Sequence, residues 1–180
     1  KEVFDHFADY DKSMEGNLSY ATPQHLRNVL KESFEAGKNF KNGLDMGCGT
    51  GLSGEAFKNI VKTFTGVDLS PVMLAKANKK EIYSALHEME LISFLEMSNE
   101  EYDFFIAADV FVYLGNLKPL FRQTKKHAAI DAVFLFSTET TEKDFTLQAT
   151  GRYAHSERYI RELAEETGFS VQSCISANIR

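Results

Sequence analysis

Cysteine and long apolar segments are both scarce in this chain. Only two cysteines, Cys48 and Cys174, occur among the 180 residues, which is too few for a disulfide framework or a zinc site. The histidines lack the spacing of metal ligands. No apolar run approaches the roughly 18–20 residues of a membrane helix, and the first residues do not resemble a signal peptide. We therefore expect a cytoplasmic protein with no metal centre and no membrane partner.

Positive charge is also in short supply. The chain has 20 Lys and Arg residues against 26 Asp and Glu residues, and its net charge is −6 at pH 7. Nucleic acids bind to basic surfaces, so we expect no nucleic-acid partner. An apolar fraction of 43% is ordinary for a globular protein, and the length suits one domain with a substantial core. Because residue 1 is Lys1 rather than Met, we expect the chain to be part of a longer protein.

The spacing of apolar residues changes at about residue 42. Residues 1–42 have helical spacing and predict a helical cap, in which Thr22 and Pro23 are typical of the N-cap and first turn of a second helix. From residue 43 onward, short apolar strands alternate with helical segments, which predicts a parallel sheet with helices on both faces. We therefore predict a single domain over 1–180, with the cap over 1–42 and an α/β core over 43–180.

The elements of the core follow from the same patterns. Strands are predicted at 44–46, 65–69, 84–91, 102–107, 132–137 and 169–179, and helices at 52–64, 71–80, 117–128 and 157–167. Ser70 and Ser156 are predicted N-caps, and Gly168 is predicted to end the last helix. The polar segment 138–155 is long enough for a functional lid.

The run Gly-Leu-Asp-Met-Gly-Cys-Gly-Thr-Gly, from Gly43 to Gly51, joins a short strand to a helix. A backbone so poor in side chains approaches a ligand closely, and the helix behind it directs free N–H groups at that ligand. Asp45 at the front would repel a pyrophosphate and attract a cation or a sugar hydroxyl. Ligands of parallel sheets bind at the carboxyl ends of the strands, where Asp68, Glu90 and Asp109 also lie. These acids predict a site for a nucleoside that carries positive charge.

Two other interpretations of the glycine run stay open at this point. Gly49, Gly51 and Gly54 match the G-x-G-x-x-G pattern of dinucleotide-binding proteins, and Asp68 follows at the distance of a ribose-binding acid. An NAD-dependent oxidoreductase is therefore an alternative, although Gly47 starts the series earlier and Asp45 would lie near the phosphates. The run could also be a tight turn that binds nothing, but glycines at alternate positions are costly for a turn alone.

The combination of Leu44-Asp45-Met46-Gly47-Cys48-Gly49-Thr50-Gly51 with Gly66-Val67-Asp68-Leu69-Ser70 resembles the class I S-adenosylmethionine-dependent methyltransferases. The segments 107–114 (Ala-Ala-Asp-Val-Phe-Val-Tyr-Leu) and 151–156 (Gly-Arg-Tyr-Ala-His-Ser) resemble a bacterial subgroup often fused to tetratricopeptide repeats. The resemblance covers nearly the whole chain. It implies a Rossmann-like sheet and methyl transfer from S-adenosylmethionine, with S-adenosylhomocysteine as product.

The resemblance also implies which residues contact the cofactor. Asp45 and the loop behind it would hold the methionine part, Asp68 would take the ribose hydroxyls, and Glu90 would accept from the adenine amino group, where an aspartate is usual in the family. The full predicted set is Asp45, Met46, Gly47, Cys48, Gly49, Gly51, Asp68, Leu69, Met73, Glu90, Leu91 and Ala107. Leu69 and Met73 would flank the adenine, Leu91 would offer its backbone N–H to the ring, and the carbonyl of Ala107 would face the methionine end.

Candidate catalytic residues follow the fourth strand and the lid. Asp109 is a candidate general base, or a cap of the next turn, and Tyr113 is predicted either to orient a substrate or to pack. His155 is predicted either to transfer protons or to form hydrogen bonds around the Ser156 cap. Cys48 would act as a nucleophile only beside a base, and none is identified. We predict a small-molecule acceptor, with a protein substrate still open, and a binding module without turnover is a further alternative.

The sequence departs from the family pattern in two places. Ile130-Asp131-Ala132 stands where relatives often have Pro-Gly-Gly. The family sheet has seven strands, whereas only six are predicted here, so we expect the final strand to be missing.

Overall fold

The computed structural model of the chain describes residues 21–34 and 37–177. Its helices are α1 (Thr22–Ser33), α2 (Leu52–Phe57), α3 (Pro71–Asn78), α4 (Leu91–Met97), α5 (Lys118–Lys126) and α6 (Glu157–Thr167). Its strands are β1 (Phe40–Met46), β2 (Val61–Asp68), β3 (Ala85–Glu88), β4 (Tyr102–Ala107), β5 (Ala128–Phe136), β6 (Glu139–Thr140), β7 (Phe145–Leu147) and β8 (Tyr153–His155). A 3₁₀ turn spans Phe111–Tyr113.

Five strands form the main sheet in the order β3-β2-β1-β4-β5, and every neighbouring pair is parallel. The strand order reverses between β1 and β4, which is where ligands bind in open parallel sheets. The strands β6, β8 and β7 form a separate small sheet. The predicted α/β fold, Rossmann-like with helices on both faces, is confirmed.

Aromatic side chains fill both faces of the main sheet. Successive residues of a strand point to opposite faces, and Phe104 and Phe105 of β4 accordingly belong to two different core clusters. Phe105 packs with residues of α4, α5 and α6, whereas Phe104 packs with α1 and α2. The sheet is therefore held from both sides, and its carboxyl edge is a stable platform for loops.

Several predicted boundaries are wrong. The helix predicted at 52–64 ends at Phe57, and β2 begins at Val61. Phe57, Val61 and Phe64 have the spacing of one helical face. In the structure Phe57 belongs to α2, whereas Val61 and Phe64 belong to β2, and all three are buried in the same core cluster. Thr22 is the first residue of α1 rather than its N-cap, which is Ala21. The predictions for residues 1–20 of the helical cap lie outside the described residues.

The predicted last strand is not formed. Residues 169–177 have no regular secondary structure, and Phe169 instead packs against Phe121 and Phe134 on the sheet. Within residues 37–177 the main sheet thus has five strands, one fewer than predicted. A groove of about 1440 Å³ runs along β5, between α1 and residues 169–177.

The caps predicted in the core are confirmed. The Ser70 hydroxyl accepts from the Met73 N–H, and the Ser156 hydroxyl accepts from the Tyr159 N–H. The segment predicted as an irregular lid contains β6, β7 and β8. Asp131, in the stretch where family members often have Pro-Gly-Gly, has a φ of 59°, a left-handed conformation that Asp adopts more readily than most residues. Across the described parts of the chain, none of the helices has the length and apolarity to span a bilayer.

Candidate ligand-binding site

The glycine loop between β1 and α2 has a backbone that requires its glycines. Gly47, Gly49 and Gly51 have φ values of 69°, 52° and 91°, in the left-handed region that other residues rarely adopt. The N–H groups of Gly47 and Cys48 both donate to the Val67 carbonyl of β2, at 2.8 and 3.0 Å. These bonds tie the loop to the neighbouring strand and leave the Gly49 Cα facing open space.

Asp68 joins the glycine loop to the loop after β2. Its Oδ2 accepts from the Gly49 N–H at 2.8 Å and its Oδ1 accepts from the Ser70 N–H at 2.9 Å. The carboxylate therefore fixes two loops at the carboxyl edge of the sheet.

Asp45 lies wholly buried beneath the same loop. Its Oδ2 accepts from the Tyr83 hydroxyl at 2.6 Å, while its Oδ1 has no hydrogen-bond partner in the described structure. Burial raises the pKa of Asp45 to about 7, the hydrogen bond from Tyr83 lowers it, and the charge of Asp68 raises it. Because the Asp45 carboxylate is buried, it can act on a ligand only through the electrostatic effect of its charge across the loop that covers it.

Cys48 does not resemble a nucleophile. Its side chain is buried, and burial raises the pKa of its thiol well above the ordinary value, helped by the charges of Asp45 and Asp68. A thiol that stays protonated is a poor nucleophile. Its small side chain fits the loop, as the sequence suggested.

The predicted contact residues that follow β2 and β3 in the chain differ in their exposure to solvent. Leu69 is exposed and Met73 is buried. Glu90 is the N-cap of α4, where its carboxylate accepts from the N–H groups of Ile92 and Ser93, at 3.0 and 2.8 Å. Since both oxygens already accept helix N–H groups, capping competes with the predicted bond to a ligand amino group. Met46 and Ala107 are completely buried, and the Ala107 carbonyl accepts from the Ser137 N–H at 3.1 Å.

Asp109 is held at the ends of β4 and β5. Its φ is 57°, a left-handed conformation that Asp adopts more readily than most residues. Its N–H donates to the Ser137 hydroxyl at 2.8 Å, and that hydroxyl donates to the Asp109 Oδ1 at 3.0 Å. Next to it, Val110 lies against Gly47, because a Cβ on Gly47 would stand 2.6 Å from the Val110 Cγ2. Asp109 is therefore adjacent to the glycine loop.

Tyr113 and His155 stand in different surroundings beyond Asp109. Tyr113 is 45% exposed, and the guanidinium carbon of Arg152 lies 5.9 Å from its ring centre. The Arg152 Nε donates to Glu139 at 2.6 Å. The sequence interpretation missed Arg152, although it lies within the Gly-Arg-Tyr-Ala-His-Ser segment that was singled out.

His155 is buried, and both of its ring nitrogens are engaged within the protein. Nε2 lies 2.9 Å from the Gly115 carbonyl, and Nδ1 lies 2.6 Å from the Thr138 hydroxyl. Because a carbonyl only accepts, Nε2 carries the proton and Nδ1 accepts from Thr138. Burial lowers the pKa of His155, so the ring is neutral at pH 7. This geometry favours the hydrogen-bonding alternative over proton transfer, although the partners are Gly115 and Thr138 rather than the Ser156 cap.

The comparisons with known proteins agree with this architecture. The family model for a methyltransferase domain matches residues 10–173. The chain belongs to this methyltransferase-domain family. It is similar to a malonyl-[acyl-carrier protein] O-methyltransferase from Bacillus cereus, with 29% identity over 161 residues, 88% of this chain and 56% of the relative. The chain therefore spans little more than half the length of this relative.

Solved methyltransferase structures share the fold. The N-methyltransferase NodS from Bradyrhizobium japonicum, in complex with S-adenosyl-L-homocysteine, superposes with a TM-score of 0.71 at 21% identity, covering 91% of this chain and 84% of NodS. An S-adenosylmethionine-dependent methyltransferase from Clostridium acetobutylicum gives a TM-score of 0.66 at 19% identity, covering 92% of this chain and 87% of that one. At these identities the likeness concerns the fold alone.

Proposed function

We propose that this methyltransferase domain transfers the methyl group of S-adenosylmethionine to a small-molecule acceptor. The observation that carries the proposal is the Asp45 carboxylate, which is fully buried beneath the glycine loop with its Oδ1 unpartnered in the described structure. A buried anion of this kind is stabilised by a nearby positive charge. The sulfonium and ammonium groups of S-adenosylmethionine supply such charge, whereas the pyrophosphate of NAD would add repulsion.

The residues present fit the cofactor along the edge of the sheet. We assign the two ribose hydroxyls to the Asp68 carboxylate, which lies at the end of β2 and holds Gly49 and Ser70. We assign the methionine part to the backbone of 46–49, with Gly51 and the Ala107 carbonyl, and the adenine to Leu69, Met73, Glu90 and Leu91. Because the Glu90 carboxylate also caps α4, helix capping competes with its proposed contact to the adenine.

When bound, S-adenosylmethionine supplies a methyl group on a good leaving group, so the protein mainly has to align an acceptor with it. We propose that Asp109 removes a proton where the acceptor is protonated at neutral pH, because Ser137 holds its carboxylate beside the loop. Tyr113, half-exposed at the same edge, would orient the acceptor. We propose a positioning role for His155, which links the small sheet to the turn that carries Tyr113.

We propose an acceptor with a negative group. Arg152 pairs with Glu139 through its Nε, and its guanidinium lies over the Tyr113 ring, where its remaining N–H groups would donate to a carboxylate of the acceptor. The Bacillus relative is named for an acyl-carrier-protein-linked malonyl acceptor, which is also an acid. A carrier-bound or free carboxylate is therefore the acceptor class we propose, with a protein carrier as a possible partner. The segments 107–114 and 151–156 support placing the chain beside the subgroup fused to tetratricopeptide repeats.

Calorimetry tests the cofactor assignment. We expect saturable binding of S-adenosylmethionine and S-adenosylhomocysteine, and no comparable binding of NAD. Tighter binding of NAD would replace this function with the oxidoreductase alternative. Release of S-adenosylhomocysteine with a panel of carboxylic acids, compared with their amides, then separates an enzyme from a binding module. Binding of the cofactor with no turnover on any acid would favour the module.

A further inference from the structure

Tyr83 lies in the connection before β3, and three glycines make room for its ring. A Cβ on Gly54 would stand 2.5 Å from the Tyr83 hydroxyl oxygen. A Cβ on Gly51 would be 3.2 Å from Cε2, and one on Gly66 would be 3.1 Å from Cδ1. Side chains at these positions would displace the ring. Gly51 and Gly54, from the glycine loop and α2, and Gly66, from β2, therefore leave a slot that this tyrosine occupies.

The slot directs the Tyr83 hydroxyl at Asp45. The hydroxyl donates to Oδ2 of the carboxylate at 2.6 Å, a length typical of a strong bond to a charged acceptor. Burial raises the pKa of Tyr83 well above its ordinary value, so the hydroxyl keeps its proton and stays a donor at neutral pH. Oδ2 is thereby held, and Oδ1 is left without a partner in the described residues.

We propose that Tyr83 is a positioning residue of the cofactor site, which holds the Asp45 carboxylate beneath the glycine loop so that its negative charge acts on the cationic methionine end of the ligand. The inference rests on the proposed function. The family resemblance assigns no role to this tyrosine. The left-handed backbone explains why residue 51 is a glycine, but Gly54 and Gly66 have an ordinary φ, so the space that Tyr83 needs is the reason for a glycine at these two positions.

The groups that act on Asp45 determine how its pKa would change if the Tyr83 hydroxyl were removed. Besides Tyr83, they are the like charge of Asp68 and the Gly54 backbone N–H. Among the residues that the structure describes, no cation acts on Asp45. Tyr83→Phe removes a bond that lowers the pKa of Asp45, so this pKa would rise above about 7. Fewer molecules would then carry a charged Asp45 at pH 7.

A pair of ligands isolates the effect. S-adenosylhomocysteine carries the ammonium, whereas 5′-methylthioadenosine has the same nucleoside without the amino-acid part. By calorimetry at pH 7, we expect Tyr83→Phe to weaken S-adenosylhomocysteine roughly tenfold, the size expected for a lost bond to a charged group, and to change 5′-methylthioadenosine less than twofold. Equal losses for both ligands would mean that the hydroxyl only supports packing, and would overturn the proposal.

The pH dependence provides a second readout. In wild-type protein the affinity for S-adenosylhomocysteine should rise from pH 6 and level off above about 7, as Asp45 ionises. In Tyr83→Phe the rise should move to higher pH, so that the tenfold gap narrows between pH 7 and pH 8, below the range in which the ammonium of the ligand loses its own proton. A gap of constant size at every pH would contradict a role through Asp45.

Two controls keep the outcome clear. Tyr102→Phe removes another buried tyrosine hydroxyl at the opposite end of the sheet, and should leave both affinities unchanged. If Tyr83→Phe fails to fold, Asp45→Asn is tested with the same two ligands and should lose affinity for S-adenosylhomocysteine alone. Failure of wild-type protein to bind S-adenosylhomocysteine at all would instead refute the proposed function, which is a different result from equal losses in the variant.

Discussion

The two halves of the carboxyl edge are built in different ways. At the ends of β1 and β2, a glycine loop is held by backbone bonds to Val67 and by one carboxylate, Asp68. At the ends of β4 and β5, side chains carry the structure, with Ser137 on Asp109 and the small sheet around His155. The first half thus depends on the conformation of its backbone, and the second half depends on hydrogen bonds that its side chains make.

The difference extends to buried charge. Asp45 in the first half is an acid whose pKa is raised to about 7, chiefly by burial. His155 in the second half is a base whose pKa is lowered, again chiefly by burial. Burial makes both groups resist charging, so the halves should respond to pH in opposite directions.

Asp45→Asn should stabilise the ligand-free protein at alkaline pH. In wild-type protein the folded pKa of Asp45, about 7, exceeds the ordinary value of 3.8, so stability is lost as pH rises between these values, and the loss amounts to about 4 kcal/mol above pH 7. Asparagine removes that cost and still accepts from Tyr83. Urea unfolding should show a gain that grows from pH 5 to pH 8. A gain equal at both pH values would contradict the assignment.

Gly47→Ala should damage the first half through its backbone. An alanine there has a left-handed φ, and its Cβ would stand 2.6 Å from the Val110 Cγ2. These two effects together should cost about 2–4 kcal/mol of unfolding free energy. Gly49→Ala is the matched control, because its added Cβ meets no atom within 4 Å. It should lose about 1–2 kcal/mol, and comparable losses in the two variants would show that Val110 is not the cause.

Asp68→Ala should reduce cofactor affinity by about 1–3 kcal/mol, because it removes charge-assisted bonds to the ribose. Asp103→Ala is a chemically matched control. The Asp103 carboxylate accepts from the N–H groups of Lys41 and Asn42, at 2.7 and 2.9 Å, but at the amino end of the sheet. Calorimetry should show weaker binding of S-adenosylmethionine for Asp68→Ala alone, and no loss in that variant would place the ribose elsewhere.

His155→Gln tests the second half. Loss of bonds to Gly115 and Thr138 should cost about 1–2 kcal/mol at pH 7.5. In wild-type protein the folded pKa is lowered, so stability is present above the ordinary value of 6.5 and declines as pH falls below it. Glutamine lacks this titration, so the gap in unfolding free energy should narrow by pH 5.5. A gap that widens in acid would mean that His155 is charged in the folded protein.

Sequence patterns predicted β4 and α6 with their observed bounds, because each has a strong apolar pattern between clear boundary residues. They gave wrong predictions at 52–64, where buried residues of two elements have the spacing of one helix, and at 169–177, where apolar residues cover the core without joining a sheet. The predicted site residues of the glycine loop all lie in one short sequence motif, so the sequence alone was enough to identify them. The prediction for Glu90 included only a contact with the ligand. It missed the helix-capping bonds of Glu90, which depend on the turn between β3 and α4.

By itself, the sequence determined the glycine loop and the acids beside it, because left-handed turns and strand ends are properties of short segments. Only the tertiary structure decided that Tyr83 meets Asp45 across 38 residues and that His155 meets the Gly115 carbonyl across 40. Such contacts depend on how strands order themselves in the sheet and on which small residues leave room. No spacing along the chain encodes that room, since it exists only once β2 and α2 have packed around the ring.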